Sequence, residues 1–185
     1  MKKLFSTAFL PVFVFLAVLT PGLCQAFPFL HLVPGEPLPP LNLKNLQTGK
    51  FLHLEKTGKP VIIVFWGTDI KEKEQHSKDI LQEISKQAAF FDDRRVTIVP
   101  VHVPVGAAEE VAAIRQSAGP GLPLYFDPNR QAYDQLGLYV VPSVLLLDQQ
   151  GRVVFGMGHS RTLVDRLKGE VEILLGEKTR PQVKQ

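Results

Sequence analysis

The chain has 185 residues, 45% of them hydrophobic and 21% charged, with 21 Lys and Arg against 18 Asp and Glu. That is long enough for one domain with a real core and too apolar for a disordered chain. Lys2 and Lys3 fall in a leading segment that holds no acids, so the remainder is within about one charge of neutral, without the basic excess a nucleic-acid binder carries.

Met1-Lys2-Lys3 is followed by an almost wholly apolar stretch that Pro21-Gly22 ends. This is the layout of a secretory signal peptide over residues 1–26, with Cys24-Gln25-Ala26 supplying the small residues a peptidase reads. Two alternatives are an uncleaved anchor, since a spanning helix needs about 20 apolar residues, and lipidation at Cys24. Leu23 is large for the residue before a lipidated cysteine. Membrane attachment is expected only by these routes. Cys24 is the single cysteine, so neither an intrachain disulfide nor a free thiol is expected in an exported product, although export would permit disulfides.

Residues 27–40 hold Pro28, Pro34, Pro37, Pro39 and Pro40 and read as an extended lead-in without helix. Leu41-Asn42-Leu43 and residues 51–54 alternate apolar and polar side chains around a turn-rich link, which predicts a β-hairpin. Residues 61–65 are continuously apolar, the mark of a strand covered on both faces. Residues 69–91 read as one helix, with Ile80, Leu81, Ile84, Ala88 and Phe91 on one side. Residues 96–103 form a second buried strand, in which Pro100 predicts a strand end or bulge. A helix over 107–118, a short strand at 124–126 and a short helix over 129–136 follow, the last stopped by Gly137. Residues 143–147 and 152–155 are strands joined by a hairpin turn with Gly151 free to take positive φ. Ser160 is placed to cap a final helix over 161–175, which Gly176 ends. The domain spans 41–176, with a polar tail at 177–185. The expected fold is α/β, a mixed central sheet flanked by helices, with the hairpin as an N-terminal extension.

Several ordered motifs carry a resemblance: Pro37 with Leu41-Asn42-Leu43, Gly58-Lys59-Pro60, the run from Val61 to Phe65-Trp66, Phe126-Asp127-Pro128, Gly137 to Val141-Pro142, and Leu147-Asp148-Gln149-Gln150-Gly151. Over residues 34–176 the chain resembles a TlpA/ResA-like member of the thioredoxin superfamily, within the redoxin (AhpC/TSA) group. The resemblance implies a thioredoxin-like fold and a cis peptide bond at Val141-Pro142, with Val141 offering backbone groups to a bound peptide. It also implies thiol–disulfide chemistry, and there the chain departs. Ile70 and Lys73 stand where the family has its two cysteines, and Lys71-Glu72 stand between them. Asp69 replaces an aromatic residue, and Lys78 replaces a proline that bends the first helix.

A cysteine at a helix N-terminus is activated because the positive end of the helix stabilises its thiolate. Ile70 has no nucleophile, and Lys73 adds positive charge where a helix favours negative. Asp69 with Glu72 forms a capping-box-like pair worth about 1 kcal/mol. No catalytic residue is assigned. Trp66, Thr68, Asp69, Lys71, Glu72, Val141 and Pro142 are the candidate surface for a peptide or protein partner. His76 with His102 or His159 is the one metal arrangement the sequence offers, but the five histidines lack ligand spacing, so neither metal nor cofactor is expected. His76 reads as an exposed surface residue and His102 as a packed one. Ser143, Thr68 and Tyr139 bring hydroxyls to the same corner, without a Gly-x-Ser-x-Gly signature or an identifiable base. The expected role is a redox-inactive binding or assembly factor of the bacterial envelope. The alternatives are an oxidoreductase using a thiol supplied in trans and a structural subunit of an envelope complex.

Overall fold

The computed structural model describes residues 27–54, 57–68, 71–103 and 122–180, and for 71–73 the backbone only. The expected signal segment, the helix over 107–118, Asp69, Ile70 and the end of the tail lie outside the described residues.

The described sheet has seven strands: β1 (Leu43–Asn45), β2 (Phe51–Leu52), β3 (Val61–Trp66), β4 (Thr97–His102), β5 (Tyr125–Phe126), β6 (Ser143–Leu147) and β7 (Val153–Gly158). Their order is β2-β1-β5-β4-β3-β6-β7. β3, β4 and β5 run parallel, and the remaining neighbours pair antiparallel, so the sheet is mixed. The helices are α1 (Lys71–Lys86), α2 (Ala88–Asp93), α3 (Gln131–Leu136) and α4 (Leu163–Leu174).

β3 is the axis of the core. All six of its residues are buried, as a strand flanked and covered on both faces requires. Ile62, Val64 and Trp66 face a cluster that includes Ile80 and Ile84 of α1, Phe91 of α2 and Leu167 and Val171 of α4. Val61, Ile63 and Phe65 face a second cluster with Ala132 and Leu136 of α3. The second cluster also takes Phe29, Leu32 and Leu41. The proline-rich lead-in is therefore packed into the fold. Phe27, Phe29 and Phe65 meet edge to face, with centroids 5.5 and 5.8 Å apart. Bridges join Phe29 to Leu138 and Pro37 to Arg152. Burying one such ring contributes roughly 1.5–3 kcal/mol.

Three local expectations need correcting. Pro100 lies inside β4 without a bulge. The amides of Thr97 and Val103 donate to Pro60 and Trp66, so odd-numbered residues of β4 address β3. Pro100 has the other parity, and on that side β5 reaches only Val101 and His102. Its missing N–H leaves no ladder bond unmade. The helix expected over 69–91 divides at Gln87 (φ −97°, ψ 11°) into α1 and α2. The break turns Phe91 fully into the core, while Phe90 stays half-buried under the Arg94 guanidinium, 3.9 Å from the ring centroid. α1 runs uninterrupted through Lys78, which pairs with Glu74. Ser160 accepts the Thr162 amide at 3.3 Å, but α4 begins at Leu163 and its N-cap position, Thr162, makes no side-chain cap.

Candidate functional site

The C-terminal ends of the parallel strands β3 and β4 open on one corner. Trp66 ends β3 there, and its carbonyl accepts the Val103 amide at 2.8 Å. Gly67 follows and donates its buried N–H to Ser77 Oγ of α1 at 3.3 Å. Thr68 Oγ1 and His102 Nε2 are 3.4 Å apart, longer than a strong hydrogen bond. At that distance the pair acts as a polar brace between the turn and β4.

Across the corner, Val141-Pro142 is cis. Pro142 is buried and its carbonyl accepts the His159 amide at 3.0 Å. Ser143 Oγ donates to the Val140 carbonyl at 2.7 Å and pins the approach to the proline. The Val141 N–H and C=O have no partner among the described residues. Beside them Tyr139 and Val140 are 44% and 36% exposed. The Tyr139 hydroxyl donates to the Phe27 carbonyl at 3.2 Å, which ties this loop to the lead-in.

The sequence-derived set is thus brought together only in part. Thr68, Val141 and Pro142 meet at the corner. Trp66 is fully buried beneath it, packed edge to face on His102 with centroids 4.6 Å apart. It supports the corner and offers no surface. Lys71, Glu72 and Lys73 form the first turn of α1 as backbone. Tyr139 and Val140 are the surface residues that sequence reasoning underused; their signal was two large apolar side chains in a loop bounded by Gly137 and Pro142.

His76 also differs from expectation. It is half-buried and stacks on His159, with centroids 4.1 Å apart and planes 15° from parallel. Burial, and then His76 beside it, hold the His159 imidazole below its ordinary pKa, against the opposing pull of Asp79 and Glu83. No group of three or more His, Cys, Asp or Glu among the described residues is placed to hold a metal. No described helix is long and apolar enough to cross a membrane. An open groove of about 860 Å³ lies at the other end of β3, between Pro37–Asn42 and the Gln149–Arg152 turn, away from this corner.

A mixed sheet with helices on both faces and a cis-proline opposite a strand-to-helix turn defines a thioredoxin-like protein. The family model described as AhpC/TSA family matches residues 34–155, and the chain belongs to that family. Among solved structures it is similar to a candidate thiol:disulfide interchange protein DsbE from Chlorobium tepidum, at 19% identity and TM-score 0.65, over 78% of this chain and 99% of the other. It is similar to an uncharacterized thioredoxin-like protein from Porphyromonas gingivalis, at 26% identity and TM-score 0.59, over 77% and 94%. It is also similar to the exposed lipoprotein thioredoxin Etrx1 of Streptococcus pneumoniae, at 21% identity and TM-score 0.54, over 72% and 99%. No curated protein matches the chain.

Proposed function

We propose that this protein is an exported, redox-inactive member of its family that works by holding a peptide or protein partner at the cis-proline corner. One observation carries the reading. The chain keeps the corner, with the Val141 peptide groups without a partner among the described residues beside exposed Tyr139 and Val140, yet has no cysteine after Cys24. A disulfide exchange that cycles within one chain needs two thiols, and Ile70 and Lys73 supply none. Free backbone groups next to apolar side chains suit an extended segment, which pairs through its own backbone and seats alternate side chains. The leading segment and the likeness to the exposed lipoprotein thioredoxin of S. pneumoniae support an envelope location.

Recovery of partners from native envelope extract tests the reading, with wild type and Val140→Asp as baits. Wild type is expected to retain a partner that Val140→Asp loses. Equal recovery by the two would remove the corner from consideration. The second reading, an oxidoreductase borrowing a thiol in trans, is favoured by the family itself, and turnover of a disulfide substrate would support it.

A further inference from the structure

The stacked histidines come from two different parts of the chain. His76 lies in the second turn of α1, the helix that starts at the family's reactive positions. His159 follows β7, and its amide is bonded to the carbonyl of Pro142. The pair therefore joins the first half of α1 to the backbone of the cis-proline.

Neutral rings stack well in this geometry, and imidazolium rings do not. Two unit charges on rings 4.1 Å apart repel. His159 Nδ1 is also buried and has no hydrogen-bond partner among the described residues. A neutral ring can carry its proton on Nε2 and leave Nδ1 as an unused acceptor, whereas the protonated ring must donate from both nitrogens. An Nδ1–H in that place has no acceptor among the described residues, and an unmade buried hydrogen bond is costly.

We propose that the His76–His159 stack is a proton-operated latch, closed while the rings are neutral and opened by acid, which frees the first half of α1 from the cis-proline segment. The latch rests on the geometry of the pair and holds whatever the corner binds. Other charges near His159 shape its threshold. On α1, Asp79 and Glu83 favour the protonated ring, and Asp79 is itself held by Gln75 at 2.7 Å. Arg161, Asp165 and Arg166, before and within the first turn of α4, are exposed to solvent, which screens them. Burial and His76 outweigh the two carboxylates, so the ring resists protonation in the closed form. The sign follows: a histidine lowered in the folded state contributes stability above pH 6.5 that is lost as pH falls below it.

The test is an NMR titration of the purified protein from pH 8 to 5, read at the imidazole signals and at the amide exchange of His159 and the first half of α1. Wild type is expected to titrate His159 below an ordinary histidine, with local protection factors, which remove the intrinsic pH dependence of exchange, falling several-fold through the same transition. His76→Gln keeps a helix-compatible side chain and removes the like charge, so the His159 midpoint should move up. His159→Gln should abolish the acid-linked exchange at α1. An unshifted His159 midpoint in His76→Gln, or equal acid-linked exchange in wild type and His159→Gln, would overturn the latch. A uniform rise in exchange across the whole sheet would overturn it as well, since that signals global unfolding.

Discussion

The Gly67 amide and the Ser77 hydroxyl meet at 3.3 Å, both buried, where β3 turns toward α1. This bond fixes the angle between the strand and the helix that follows, and so fixes the corner. Ser77→Ala leaves the Gly67 N–H buried without an acceptor, which costs about 1–3 kcal/mol. Urea unfolding should show the loss. Unchanged stability would mean that the turn does not depend on this bond.

The lead-in is held by close approach at two glycines, Gly137 against Leu30 and His31 and Gly156 against Phe27 and Phe29. A Cβ on Gly137 (φ +61°) would sit 2.9 Å from Leu30 Cβ and 3.0 Å from His31 Cγ. Gly137→Ala therefore combines left-handed backbone strain of about 1–2 kcal/mol with a clash against the lead-in. Limited proteolysis should cut the variant between Leu30 and Glu36 faster than wild type. A cleavage rate equal to wild type would show that the lead-in docks independently of this turn.

Asp127 is fully buried and accepts the amides of Ala132 at 2.8 Å and Tyr133 at 2.9 Å, ordering the start of α3. Burial nevertheless holds its carboxyl above the ordinary 3.8. A carboxyl raised in the folded state favours folding most below pH 3.8, and that contribution is lost as pH rises through the folded value. Asp127→Asn should remove this component from the pH dependence of unfolding. Asp127→Ala should cost about 1–3 kcal/mol for each amide left without a partner. An Asp127→Asn profile that overlays wild type in acid would contradict the assignment.

Much of this was legible in residues 61–65, where a short, unbroken apolar run marks a strand covered on both faces; the structure extends it to Trp66. The hairpin turn over 148–151 was legible too, from the glycine free to take positive φ; Gly151 does so (φ 76°), and the Asp148 carboxylate accepts the amides of Gln150 and Arg152 at 2.9 and 2.8 Å. The cis bond at Pro142 came through resemblance, since no local pattern marks it. Other features depend on partners distant in sequence. Whether Pro100 disrupts β4 depends on how far β5 extends. The break at Gln87 goes with Lys168 of α4, whose ammonium bonds the Gln87 side chain at 3.1 Å. The histidine stack joins residues 83 positions apart, and periodicity cannot see such a pair. Trp66 was grouped with the candidate surface, and its place at the end of β3 buries it beneath the corner.

If the corner is intact and only its thiols are missing, replacing them should restore chemistry. Ile70→Cys/Lys73→Cys restores the two cysteines at the positions the family uses, one just before Lys71 in sequence and one three residues later. The double variant is expected to speed insulin reduction by dithiothreitol, and either single variant to do so much less. A folded double variant without activity would show that the corner has changed beyond its cysteines.

The same assay on the unaltered protein addresses the central claim most directly. The account predicts insulin precipitation with dithiothreitol at the rate of the protein-free control. Turnover above that control would contradict it, because the chain would then be doing thiol–disulfide chemistry without the residues at positions 70 and 73 that the chemistry requires.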